Sequence, residues 1–422
     1  MHALFIVAVV LAWLVALAWT RVTLTALYHL PRIPNLLDPR YNPVPHAPGA
    51  PSSPHPAFGR DQGGDVPQIT VIVPARNEAA SIDATLRSLL NQTIPIEIIA
   101  IDDRSTDQTG ALMDSLSAQI AAESRPLEVQ APGKSFTVLH VDHLPEGWMG
   151  KTHAMALAAR QTATPWLLFT DGDILFRQDT LERALRFAHE SQADHVALAL
   201  TLILNSAGER LMTTVIGCFT LLSFRPWKTP DPAAKHDSVG VGAFNLIRSS
   251  AYRAIGGFES LRMEVLEDLR LGFEVKHRGF RQHVVFGRDL IRVHWAAGAL
   301  GMAHNLTKNF FAVFRFRPAA LMAGVLALAL LFFAPFVGLF APWPIRGPGI
   351  VALAMIALAH RYSSRHFTGI SILYVLTLPI GAALLIYSLL RSMILTLWRG
   401  GVIWRGTFYP LNHLRRHAGP LR

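Results

Sequence analysis

Thr170-Asp171-Gly172-Asp173 follows the apolar run Trp166–Phe169 without a break. In extended backbone, positions i and i+2 point to the same side. Asp171 and Asp173 are therefore expected to project together, with a glycine between them. Paired carboxylates suit Mg²⁺ or Mn²⁺, which take carboxylate and phosphate oxygens and fill their remaining positions with water. A departing diphosphate needs positive charge of that kind. An Asp-Gly turn between strand and helix has the same composition, so the pattern gains weight only from its company.

That company is a series of polar clusters. Ile101-Asp102-Asp103-Arg104-Ser105-Thr106-Asp107 closes another apolar run. An acid there can accept hydrogen bonds from ribose or base, while Ser105 or Asp107 can equally cap a helix. Earlier lies Pro74-Ala75-Arg76-Asn77-Glu78. Arg76 suits a phosphate and Glu78 a nucleotide or acceptor hydroxyl, although an ordinary polar loop reads the same way. Gly147-Trp148-Met149-Gly150-Lys151 precedes a helical stretch. Glycines and a lysine at a helix start suit an anion, but the spacing is not that of a P-loop, and a capped turn is the plainer reading. Last comes Leu266-Glu267-Asp268-Leu269-Arg270, after Gly256-Gly257-Phe258. Asp268 serves as a general base if it reaches a hydroxyl proton. Otherwise it is a helical acid paired with Arg270 or Lys276.

The elements that must hold these residues alternate between strand and helix. Strands are expected at Gln68–Val73, Ile96–Ile101, Phe136–Val141 and Trp166–Thr170, and helices at Ala79–Leu90, Thr109–Ala122, Lys151–Gln161 and Thr180–Glu190. Such alternation predicts an α/β fold with a mostly parallel sheet. Ligands of these sheets bind beyond the carboxyl ends of the strands, and the polar clusters fall at those ends.

Composition places part of the chain in lipid. Of 422 residues, 51% are hydrophobic and 16% charged, against about 25% charged in soluble domains. Residues 3–20 are almost wholly apolar and Arg21 follows them, the pattern of an uncleaved anchor with its basic flank in the cytosol. The sequence thus divides into an anchor over 1–22, a Pro/Gly-rich linker over 23–66, and a globular domain over 67–300. An interfacial amphipathic helix over 301–318, transmembrane helices over 319–398 and a basic tail over 399–422 complete it. Within 319–398, Ala319–Phe340 and Thr368–Leu390 are long enough to span, and Gly349–Ala359 is short for it. A cytosolic tail requires an even number of spans, met if one block is interfacial or the last breaks near Pro379 and Gly381. The net charge of +10 flanks apolar runs and reads as orienting bias, not as a nucleic-acid stripe. Cys218 is the only cysteine, which excludes an intrachain disulfide and a cysteine-based zinc site. His277, His283, His294 and His304 crowd one region without zinc-helix spacing and read as structural or interfacial.

The ordered set of Pro74–Glu78, Asp102–Asp107, Asp171-Gly172-Asp173, and Gly256-Gly257-Phe258 followed by Glu267-Asp268 resembles the family 2 inverting glycosyltransferases of GT-A (Rossmann-like) fold, over roughly 67–295. The Gly147–Lys151 and Thr170–Ile174 segments look like the subgroup of hopene-associated and carotenoid glycosyltransferases. The resemblance implies that Pro74, Ala75, Arg76, Asn77, Glu78 and Asp103 hold the base and ribose of a UDP-type donor. It implies Lys151 near the nucleotide, Asp171 on ribose and metal, Asp173 on the metal (Mg²⁺ or Mn²⁺), and Asp268 as catalytic base. Gly257, Phe258 and Glu267 fall on the acceptor side. The implied partners are a nucleotide-sugar donor, a lipid acceptor and the membrane, with the catalytic domain on the cytoplasmic face of the cell (inner) membrane. Processive members carry Gln-x-x-Arg-Trp after the Glu-Asp motif. Here His294-Trp295 and the aromatic, basic stretch Leu306–Arg317 stand instead, which favours a single transfer over polymer synthesis. That stretch suits a helix on the membrane surface, delivering a lipid or merely entering the membrane. A processive synthase, a transporter with a nucleotide-binding domain and a silent scaffold stay open as alternatives, although the apolar runs lack the intramembrane charges of a transporter.

Overall fold

The computed structural model describes residues 2–43, 68–123 and 134–419. Contacts divide the chain into two compact units, one comprising 34–201, 228–293 and 419–422, the other 1–33, 202–227 and 294–418. The chain opens with helix α1 (His2–His29), seven residues beyond the expected end of the anchor at 22. The linker expected over 23–66 is correspondingly shorter. Pro34–Asn42 lies along the α/β unit, where Leu36 N–H donates to the Phe286 carbonyl at 2.7 Å and Arg183 donates to the Leu36 carbonyl at 2.9 Å. Backbone groups of that segment thus find partners in the unit itself, which an open linker would leave to water. The rest of the linker, from 44, lies outside the described residues.

The α/β unit begins with β1 (Ile69–Ala75), α2 (Ile82–Leu90), β2 (Glu97–Asp102), α3 (Thr109–Glu123), β3 (Ser135–His140) and α4 (Gly150–Ala159). It continues with β4 (Trp166–Phe169), β5 (Leu175–Phe176), α5 (Thr180–Glu190), β6 (His195–Leu198) and β7 (Thr201–Leu202). Helix α6 (Ala207–Ser223) interrupts it and belongs to the other unit. Then come β8 (Asn245–Arg248), α7 (Ser249–Ala254), α8 (Glu267–His277), β9 (Gln282–Val285) and β10 (Ile291–Val293). The globular domain expected over 67–300 is therefore split by an inserted helix and ends at Val293.

A seven-stranded sheet runs β3-β2-β1-β4-β8-β6-β9. β3, β2, β1 and β4 are parallel, and β8 runs against both β4 and β6. Every residue of β1 is buried, the near-continuous β-branched run of a strand covered on both faces. Helix α2 turns Ile82, Leu86 and Leu89 inward, a helical stripe at i, i+4 and i+7. Register decides where the polar clusters meet. Ala75 lies opposite Asp102, and Ile72 opposite Phe169, so β1, β2 and β4 end at one edge. β5, β10 and β7 form a smaller sheet.

The helical unit holds α1, α6, α9 (Gly298–Thr307), α10 (Phe310–Val313), α11 (Pro318–Gly338), α12 (Trp343–Phe367) and α13 (Leu378–Arg399). A hairpin of β11 (Gly401–Trp404) and β12 (Thr407–Pro410) leads to α14 (Leu411–His417), so the expected basic tail is folded up to that point. Four helical stretches, His2–Arg32, Pro318–Gly338, Trp343–Phe367 and Ile372–Arg399, are long and apolar enough to cross a membrane. Trp19 on α1 donates to the Leu331 carbonyl at 3.0 Å and meets the Phe332 ring edge-on at 5.6 Å. Thr23 donates to the Met355 carbonyl at 3.0 Å. Such bonds knit helices where apolar surface alone gives no preference for protein over lipid.

Two membrane expectations are corrected. The block Gly349–Ala359 is part of a 25-residue helix, because Pro344 sits in its opening turn and Pro348 is accommodated inside it. The break near Pro379 and Gly381 does not form, since Pro379 falls in the first turn of α13, where a missing N–H costs nothing. Among the described residues, three such helices come after the α/β strands in the chain. The helix expected over 301–318 is likewise two short ones, with Arg315 and Phe316 at positive φ before Pro318. Phe311 and Phe316 are buried against each other with ring centres 5.5 Å apart. Their aromatic surface is spent on packing within the helical unit.

Candidate active site

Lys151 enters from the first turn of α4 with its side chain 13% exposed. Its ammonium lies 2.7 Å from Asp171 Oδ1 and 2.6 Å from Glu267 Oε1. Asp171 stands just past β4, and Glu267 opens α8. Asp268, next in that first turn, accepts from the Gly242 N–H on Oδ2 at 3.0 Å and from the Leu269 N–H on Oδ1 at 2.8 Å. Gly242 is the meeting point. A Cβ built on it would stand 3.2 Å from Asp171 Oδ2, 3.4 Å from Asp268 Oδ2 and 3.7 Å from Lys151 Nζ. A side chain there would stand among the three charged groups, tight against Asp171 and in ordinary contact with the other two.

The charges explain each other. Burial disfavours the Lys151 ammonium, but Asp171, Glu267 and Asp268 outweigh it and hold its pKa above the ordinary lysine range. Asp268 is pushed up to about 6 by burial and then by the charge of Glu267, with Lys151 opposing. Asp173 is also pushed up to about 6, by burial, by Asp171 and by Glu78. Crowded carboxylates of this kind are the usual environment of perturbed, functional acids.

The donor set bears on metal binding. Among the described residues no three His, Cys, Asp or Glu groups converge as a metal cage. Asp171 and Asp173 match instead a hard cation held by one or two carboxylates and completed by substrate phosphate and water. The repulsion that raises Asp173 is what such a cation relieves.

A second cluster lies at the other side of the α4 start. Asp103 is fully buried, and its Oδ1 accepts from Arg104 Nε at 2.9 Å. Its Oδ2, Arg104 Nη2 and His153 Nδ1 are buried without a hydrogen-bond partner. A Cβ on Gly150 would fall 2.8 Å from Arg104 Nη2 and closer still to Asp103 Oδ2, so only glycine admits both. Orphaned buried polar atoms are rare and call for an explanation. Arg104 also holds a positive φ of 57°, a conformation that costs energy outside glycine.

Other residues of the motifs hold the loops. Pro74 and Ala75 close β1, and the Ala75 carbonyl accepts from Asp103 N–H at 2.8 Å. Asn77, at positive φ, accepts from Thr106 N–H on Oδ1 at 2.8 Å, and its own N–H donates to Ser105 Oγ at 3.1 Å. Glu78 N–H donates to Thr109 Oγ1 at 2.8 Å. Arg76 and Glu78 follow at the same strand end, partly buried. The loops after β1 and β2 are thus zipped together. Gly257 and Phe258 correct the expectation of an acceptor contact. Phe258 is 1% exposed, with its ring 4.9 Å from Phe169 and 5.9 Å from Tyr252, and Gly257 makes the turn that seats it. A ring enclosed on two sides by core aromatics has no face left for substrate. Glu267, expected on the acceptor side, is committed to Lys151. Gly242 and His153 had no motif to single them out, since nothing local marks a glycine or histidine that becomes significant through contacts 26 or 50 positions away.

Residues 70–256 match the sequence profile of Glycosyl transferase family 2. A 4,4'-diaponeurosporenoate glycosyltransferase of Staphylococcus aureus (strain MRSA252) is 26% identical over 206 residues, 48% of this chain and 50% of the relative. The chain thus spans about half the length of that relative. Its counterpart in strain USA300 is 25% identical over the same share. Among solved structures, a Pyrobaculum calidifontis mannosyltransferase in complex with GDP-Man and Mn²⁺ aligns with 19% identity, 92% of this chain, 99% of the other and a TM-score of 0.43. S. aureus TarS 1-349 in complex with UDP-GlcNAc aligns with 16% identity, 81% of this chain, 95% of the other and a TM-score of 0.37.

Proposed function

We propose, from the match of residues 70–256 to the family 2 glycosyltransferase profile, a membrane-bound, inverting enzyme that moves one sugar from a UDP-type donor to a lipid acceptor at the cytoplasmic face of the cell membrane. One observation carries the reading: Lys151, Asp171 and Asp268 converge on Gly242, with Asp268 raised toward neutrality. A base works best when its pKa lies near the working pH. The acceptor hydroxyl gives its proton to Asp268, its oxygen forms a bond to the anomeric carbon, and the bond from that carbon to the diphosphate oxygen breaks. UDP leaves with the electron pair on the opposite face, which inverts the centre. Lys151 keeps Asp171 and Glu267 in place and adds positive charge beside the leaving group. Asp171 and Asp173 would hold Mg²⁺ or Mn²⁺, which supplies charge neutralisation of the diphosphate when bound. The partnerless atoms of Asp103, Arg104 and His153 suit the edge of the donor base. The lipid acceptor follows from the 4,4'-diaponeurosporenoate glycosyltransferases and from the four apolar helices. The single transfer follows from the absence of Gln-x-x-Arg-Trp.

The test is expression in membranes with labelled UDP-sugars, followed by mass spectrometry of the lipid extract. The expected result is a lipid heavier by one sugar. A ladder of added sugars would overturn the single transfer, and labelled product confined to the aqueous phase would overturn the lipid acceptor.

A further inference from the structure

We infer that the buried side chains of His195, Asn245 and Gln282 form a positioning device for the Asp268 carboxylate, acting through the backbone of residues 239–242. This rests on Asp268 being the base. His195 opens β6, Asn245 opens β8 and Gln282 opens β9, and all three are at most 2% exposed. Asn245 Oδ1 accepts from Val241 N–H at 3.1 Å. The same oxygen lies 3.1 Å from His195 Nε2, so that nitrogen is the donor. His195 Nδ1 is then the acceptor for Gln282 Nε2, 3.0 Å away. Gln282 Nε2 also donates to the Gly272 carbonyl at 2.9 Å, and Gln282 Oε1 accepts from Val239 N–H at 3.0 Å. The hydrogen bonds close without a charge, with the imidazole fixed as one neutral tautomer.

Its outputs reach one loop and α8. Val239 N–H and Val241 N–H are held from below, and Thr170 Oγ1 donates to the Ala243 carbonyl at 2.8 Å. The next amide, Gly242 N–H, is the one that meets Asp268 Oδ2. On its outer side the loop lies against the start of α8, where a Cβ on Gly240 would collide with the Asp268 carbonyl. The loop is thus clamped between the cluster and the helix that carries the base. Buried, fully satisfied polar networks fix one arrangement among several of similar packing. The arrangement fixed here sets which way the Asp268 carboxylate faces. A cluster serving only the sheet would pair with strand backbone, and this one spends its bonds on the loop and on α8.

The experiment uses the full chain in membranes. Gln282→Met removes three hydrogen bonds at similar volume. Asn245→Leu removes the shared acceptor, and Asn245→Asp keeps it. A misplaced catalytic group costs on the order of tens to a hundredfold in rate. Gln282→Met and Asn245→Leu are therefore expected to lower kcat about 30-fold with donor KM within about twofold, and Asn245→Asp to stay within about threefold of wild type. Leu185→Ala, a core truncation on α5, supplies a control for loss of Tm without loss of the loop. If Gln282→Met and Asn245→Leu lose no more kcat than that control, the cluster is merely structural and the inference fails. Should Gln282→Met not fold, the Asn245 pair decides alone. Asp268→Asn in the same assay separates the two failures. Wild-type turnover there overturns the base assignment and this inference together, whereas an inactive Asp268→Asn beside an active Gln282→Met overturns only the positioning.

Discussion

Glu209 in the helical unit and Asp268 in the α/β unit are both acids at the start of a helix, Glu209 buried and Asp268 half-buried. Glu209 accepts from Asn205 N–H at 2.6 Å, Gly298 N–H at 2.9 Å and Ser206 Oγ at 3.0 Å, so one carboxylate caps α6 and binds the start of α9. Burial works against its charge, but those donors win and draw its pKa down to about 2. Asp268 has only two backbone donors and a neighbouring acid, and burial pushes it up to about 6. The difference lies in what each carboxylate is aimed at. Glu209 is saturated with hydrogens and does architecture. Asp268 receives fewer, and its charge is less compensated.

The comparison can be broken most decisively at Asp268. Asp268→Asn is expected to lower kcat by about a thousandfold, the usual scale of a lost general base, while calorimetric UDP binding stays near wild type. Unchanged turnover would remove the base from the mechanism. Next in size is Asp173→Ala, expected to weaken metal-dependent donor binding by about a hundredfold, in the range of a lost metal ligand or its support. A Mn²⁺ titration that matches wild type would sink the metal assignment.

The pH profile comes third. Asp268 acts only as the carboxylate, so kcat/KM is expected to fall about tenfold per unit as pH drops below about 6. A rate flat down to pH 5 would contradict the raised value. Glu209→Ala should have the smallest effect on turnover, within about twofold, yet cost about 2 kcal/mol of stability through two lost caps. Thermal melts read that directly. The sign with pH is opposite to that of Asp268 and Asp173, whose pKa values are raised. Glu209, with its folded pKa below the ordinary 4.5, contributes stability that is present above pH 4.5 and lost as pH falls toward about 2. A Glu209→Ala enzyme that is stable but inactive would erase the distinction between the two acids.

Much of this was legible from local pattern. β2 and β4 are runs of apolar residues that lead into acids, Asp102 and Asp171, and such runs announce both a buried strand and the place where the sheet opens to a ligand. Helix α5 begins and ends where its periodicity says, at Thr180 and Glu190. The misreadings came where local composition resembles something else. Gly347-Pro348-Gly349 looks like a stop, yet helix α12 runs through it because its neighbours α1 and α11 hold the backbone. Phe258 looked available to an acceptor because nothing in Gly-Gly-Phe shows that two aromatic rings wait to enclose it.

The sequence by itself determined that Asp102 and Asp171 stand where β2 and β4 end, because each placement depends on residue types within one strand or turn. Only the tertiary structure decided that Lys151 bridges Asp171 and Glu267, that Gly242 stands where they meet, and that His195, Asn245 and Gln282 hold its loop. Those relations join positions about 20 to 120 apart in the chain, and their energies exist only once burial has removed the water that would otherwise compete for every one of those hydrogen bonds and charges.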